Sequence, residues 1–151
     1  MHRIPLLLLF ASISVSAEEA GLFANSLKSA GPSFHGVPLR ETKFTDLNDD
    51  GIDEVLLHIN SVEEASIGFL NTELFDAFVW IDIYKLKNGS YELVTKDFPE
   101  YLKQREIFYR EWIMRLNTPE TLSDDSSTTI KANYEYFIGV LNEYISRIEN
   151  S

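Results

Sequence analysis

Cysteine is absent from all 151 residues, so no disulfide can hold this chain together and its stability must come from a core. Histidine is nearly absent: beyond residue 17 there are only His35 and His58, and without cysteine beside them they make a poor zinc centre. Basic residues are few, 13 against 24 acidic. That balance lacks the positive footprint that nucleic acid and anionic lipid surfaces require. Long apolar runs are absent after the first ten residues, so no later segment approaches the roughly 20 residues that cross a bilayer.

What is present at the N-terminus is a three-part export pattern. His2 and Arg3 precede an apolar stretch from Ile4 to Phe10, and a small-residue region ends in Val15-Ser16-Ala17. Residues 1–17 therefore match a signal peptide with cleavage expected after Ala17. Cleavage removes Arg3 and no acid, leaving 12 basic against 24 acidic residues and a charge of −12 on residues 18–151. No cysteine lies near the cleavage point to carry a lipid. The expected product is secreted or periplasmic, with no membrane insertion after cleavage.

Residues 18–151 suit one domain, and 44% hydrophobic with 13% aromatic content is ample for a core. The pattern predicts an α+β fold. A helix is expected over residues 18–30, stopped by Gly31-Pro32, then a loop over 33–38 and a strand over 39–47. Val55, Leu57 and Ile59 alternate with Leu56 and His58 in a strand over 54–60, followed by a long loop over 61–75 with room for one helical turn. Residues 78–86 alternate again and turn at Asn88-Gly89 into a strand over 91–95, because these two residues accept the positive φ of a two-residue hairpin. Asp97, Pro99 and Glu100 match a capping box opening a helix to about residue 116. A polar loop over 117–128 leads to a C-terminal amphipathic helix with the stripe Tyr134, Phe137, Ile138, Leu141, Tyr144, Ile145 and Ile148.

One loop carries ligand spacing. In Asp46-Leu47-Asn48-Asp49-Asp50-Gly51-Ile52-Asp53-Glu54 the oxygen-bearing side chains fall at loop positions one, three, five and nine, with Gly51 at six. A hard cation such as calcium takes about six to eight oxygens, and alternate side chains in a tight loop can converge on it. Asp46, Asn48 and Asp50 would give side-chain oxygens, Ile52 its carbonyl, and Glu54 a carboxylate directly or through water. Position twelve is Leu57, where an EF-hand places a bidentate glutamate, so this is no EF-hand. A plain acidic turn uses the same residue types without metal. Against that, the carboxylates of Asp46, Asp50 and Glu54 repel one another unless a counter-ion lies among them.

The stretch Asp46 to Leu57 resembles the calcium loop of FG-GAP and VCBS repeats, the motif of integrin-type propeller blades. Asp46, Asn48, Asp50 and Gly51 match that loop, Glu54 stands where an aspartate is usual, and Val55-Leu56-Leu57 supplies the following strand. The resemblance, extended through the hairpin, covers about a third of the chain. It implies calcium as cofactor and a small, antiparallel, blade-like sheet with flanking helices. A propeller needs about 4 to 8 blades, and there is room here for one.

These features point to an exported calcium-binding protein with a structural metal loop, serving as a binding or envelope-interaction module with a possible protein partner. One alternative is an inhibitor or immunity protein against a secreted enzyme, its acidic face meeting a basic partner and the 61–75 loop making contact. Another is a hydrolase with a calcium-supported site. No spacing selects catalytic residues among Glu63, Glu64, Asp82, Asp124 and Asp125.

Overall fold

The computed structural model describes residues 17–65 and 70–151. The signal peptide expected over residues 1–17 lies outside them, apart from Ala17. Within them the protein is α+β. Helix α1 (Ala17–Ser29) leads into a small hairpin, β1 (Ser33–Phe34) and β2 (Val37–Pro38), where the sequence suggests only a loop. The hairpin forms because His35 and Gly36 both adopt positive φ, the geometry of a two-residue turn. Strand β3 (Glu41–Thr45) then opens a four-stranded antiparallel meander with β4 (Glu54–Asn60), β5 (Val79–Lys87) and β6 (Ser90–Leu93), in that spatial order.

Register follows from the turns. Asn88 and Gly89, at φ 53° and 84°, close the β5–β6 hairpin with Lys87 opposite Ser90. Between β4 and β5, Val55 faces Tyr84 and Asn60 faces Val79. Both surfaces of this sheet are covered. Leu56, Val79, Ile81 and Ile83 pack with Val94, Phe98 and Tyr101, whereas Phe23 of α1 stacks on Tyr91 and meets Tyr84 edge-on. That double burial explains why β4 carries apolar residues on both of its faces.

The segment after β4 is more ordered than its sequence suggests. Asn60 accepts hydrogen bonds from Val62 and Glu63 backbone N–H groups and caps α2 (Ser61–Glu64), and Asn71 caps α3 (Thr72–Phe75). Val62 and Leu74 are fully buried, so this stretch is docked against the core. Helix α4 (Pro99–Leu116) starts at Pro99, but the capping box does not form: Phe98 is the N-cap, and Asp97 instead pairs with Lys87 at 3.0 Å.

Helix α5 (Asp124–Glu149) begins ten residues before its apolar stripe, capped by Ser123, and kinks at Asn133 (φ −130°, ψ 20°). The polar stretch expected as loop thus contributes a helical turn whose Ser126 and Ser127 are buried. The stripe itself packs as expected: Phe137, Leu141, Tyr144 and Ile145 join Tyr109, Trp112 and Leu116 of α4, Phe78 just before β5 and Trp80 of the sheet in the main core. Each such side chain contributes roughly 1.5–3 kcal/mol on burial. The Tyr144 hydroxyl is hydrogen-bonded at 2.7 Å to both the Phe78 carbonyl and Ser61 Oγ, tying α5 to the strand entry.

Candidate functional site

The acidic loop links β3 to β4, and its backbone is shaped by its own side chains. Asp46 Oδ1 and Oδ2 accept from the N–H groups of Asp50 (3.1 Å) and Gly51 (2.8 Å), Asn48 Oδ1 accepts from Asp50 N–H (3.2 Å), and Asp50 Oδ1 accepts from Ile52 N–H (3.0 Å). These bonds need two left-handed residues, Asp49 at φ 58° and Gly51 at φ 80°. Glycine bears the second without strain, and aspartate is among the few side chains that tolerate the first.

Glu54 differs from its neighbours in the loop. It is the first residue of β4 and is completely buried. Its Oε2 accepts from Leu47 N–H at 2.9 Å, drawing the two ends of the loop together. The counter-ion that the carboxylates require comes from β5. Lys85 Nζ lies 2.5 Å from Asp50 Oδ2 and 3.2 Å from Glu54 Oε1. The second contact is an ion pair whose angle leaves Glu54 Oε1 buried and without an aligned donor. The hydrogen bond from Lys85 holds Asp50 below the usual carboxylate range, and the same bond raises Lys85.

Four of the five loop residues singled out by spacing thus have their side-chain oxygens turned inward on the loop or toward Lys85, while Ile52 is half-exposed and offers its carbonyl alone. Among the described residues no three carboxylate or imidazole groups converge in a metal-ligating cluster. Lys85 is the residue that the sequence pattern misses. The signal is present in the strand register, since Val55 faces Tyr84 and the next pair places Lys85 beside Glu54.

The remaining candidates go elsewhere. Glu64 pairs with Arg40 at 2.7 Å, and Glu63 accepts from Leu70 N–H at 3.2 Å, its carboxyl raised by burial. Asp82 accepts from Trp80 Nε1 at 2.8 Å in a cavity of 490 Å³ that Asp97 and Arg147 also line. Asp124 and Asp125 occupy the first turn of α5, where the helix dipole favours negative charge. A carboxylate oxygen of a different kind sits at the α3–α5 junction: Glu73 Oε2 accepts from Ser123 Oγ at 2.7 Å and from Ser126 Oγ, and Asn71 Nδ2 donates to Ser126 Oγ at 2.8 Å. Compared with known proteins, the chain matches no family model, no curated protein and no solved structure.

Proposed function

We propose that the chain is an exported binding module whose Asp46–Glu54 loop takes up calcium, with Lys85 as the built-in cation that calcium replaces. The supporting observation is Glu54 Oε1: a fully buried carboxylate oxygen 3.2 Å from Lys85 Nζ, neutralised by that charge and without an aligned donor. An oxygen so placed is costly unless a cation satisfies it. Each loop oxygen already bonded to a backbone N–H keeps a second lone pair. Asp46, Asn48, Asp50 and Glu54 would hold the ion by side chains and Ile52 by its carbonyl, and the ion would supply a rigid corner between β3 and β4. The role is structural. Phe34 and Val37 on the small hairpin and Phe44 on the β3 edge are exposed at 49%, 65% and 45%, apolar surface that a partner protein could cover.

With a lysine in competition and no bidentate glutamate at position twelve, affinity belongs in the extracellular range, about 10⁻⁴ to 10⁻³ M. Calcium at about 100 times its dissociation constant adds roughly 2.7 kcal/mol of stability, worth several degrees in a domain of this size. Melting curves in calcium and in chelator measure this. Lys85→Gln should lower the melting temperature in chelator and widen the gap that calcium opens; Asp50→Ala should close it. Identical wild-type curves in tens of millimolar calcium and in chelator would leave the loop as an acidic turn pinned by lysine.

A further inference from the structure

The chain is strongly acidic, yet one recess is walled by cations. Between the β3–β4 side of the sheet and the start of α4 lies a cavity of 270 Å³ lined by Lys43, His58, Asp76, Tyr101, Arg105 and Phe108, with strand β5 as its floor. Every other described arginine pairs with a carboxylate; Arg105 does not. Its Nε and Nη2 donate to the Tyr109 hydroxyl at 3.3 and 3.2 Å, and Nη2 also reaches the Val79 carbonyl at 2.9 Å. Those bonds fix the guanidinium in place without neutralising it, and it lies over the Phe108 ring at 4.4 Å. Lys43 is exposed on β3 and forms no ion pair among the described residues. Asp76 is the only carboxylate in the lining, and Glu41, opposite His58 in the register, is exposed and outside it.

From this geometry we infer that the recess binds a small organic acid, its carboxylate held between Lys43 and Arg105 and its apolar body lying against Tyr101 and Phe108. An unneutralised, pre-oriented guanidinium is the donor best suited to a carboxylate, and an aromatic wall favours a planar carbon frame over a bare inorganic ion. His58 completes the picture. Burial first, then the Lys43 and Arg105 charges, bring its imidazole down to about 4, and its Nε2 is sealed without a partner. The ring is neutral at physiological pH, so it adds no third charge, and it reports on whatever shares the recess. The site is independent of the calcium loop.

The test uses the full chain without its export segment, titrated with benzoate while the His58 ring and the Lys43 and Arg105 side chains are followed by NMR. Saturable shifts and a rise in the His58 pKa on benzoate addition are expected. Lys43→Gln should weaken binding about tenfold, the scale of one charge-assisted hydrogen bond, whereas Lys103→Gln, the same charge change outside the lining, should leave it unchanged. Absence of saturation in tens of millimolar benzoate overturns the inference. Equal binding by neutral benzamide, equal binding by inorganic phosphate, or equal losses in the two lysine variants would do the same.

Discussion

Glu54 and Glu73 both fasten distant segments of the chain, and they do so by opposite means. Glu73 is met chiefly by hydroxyls: Ser123 and Ser126 donate to it, and these bonds hold its carboxyl below the usual range, Ser126 contributing most, with the Arg115 guanidinium farther off at 3.8 Å. Glu54 is met by a charge, with one oxygen on Leu47 N–H and the other on the Lys85 ammonium alone. The contrast separates a joint held mainly by hydroxyl hydrogen bonds from one held by the charge of a lysine. Hydrogen bonds from neutral donors change little with salt, whereas the exposed side of the Lys85 cluster, its pair with Asp50, is screened.

The severest way to break the comparison is to remove the helical side altogether. Ending the chain after Ser127 keeps the serines but deletes Phe137, Leu141, Tyr144 and Ile145, whose burial at roughly 1.5–3 kcal/mol each rivals a net stability of about 5–15 kcal/mol. The truncated protein should lose its cooperative melt and aggregate; a melting curve like that of the whole chain would place the stripe outside the core.

Single substitutions sharpen the contrast. Ser126→Ala removes a buried hydroxyl from the Glu73 joint and should cost about 1–3 kcal/mol in urea unfolding, equally in low and in molar salt. Lys85→Gln leaves the buried Glu54 carboxylate without its counter-ion and should cost at least as much, and the share of that cost owed to the more exposed Asp50 should shrink as salt rises. A salt-independent loss at Lys85 would mean that the two joints are held alike.

The smallest effect concerns His58, which touches neither acid. Its folded-state pKa of about 4 lies below the ordinary value of 6.5. The unfolded chain therefore takes up the proton first, and the contribution of this residue is complete above pH 6.5 and lost as pH falls toward 4. Because the ring is partly exposed, the slope should be shallower than the shift alone implies. His58→Gln should flatten the fall in melting temperature between pH 6.5 and 5, a window above the range of the lowered carboxylates Asp50 and Glu73. An unchanged slope would mean that the recess is wetter than its geometry indicates.

Much of the sheet is legible in the sequence because its signals are local. Asn88-Gly89 fixes one turn, and the alternation around it fixes two strands. The α5 stripe is legible for the same reason. Where reading fails, a residue has taken a distant partner. Asp97 leaves its expected cap for Lys87, at the end of β5. Ser126 and Ser127 are polar and yet buried, so the first turn of α5 looks like loop until Glu73 and Asn71 are brought against it. The acidic loop is visible at once, but Lys85 stands 35 positions beyond Asp50, and only the strand pairing brings it there. The cationic recess is invisible to any local pattern, since β3, β4 and α4 must meet before Lys43, His58 and Arg105 share a wall.

The kink at Asn133 divides α5 into two lengths of helix with separate moorings. The first is held through Ser126 to Glu73 and Asn71, and the second through Tyr144 to Ser61 and Phe78. Because the backbone at Asn133 leaves helical geometry, fraying that begins at one end has no unbroken ladder along which to spread. Amide hydrogen exchange should accordingly resolve α5 into two protection classes that meet near Asn133, opening with different free energies.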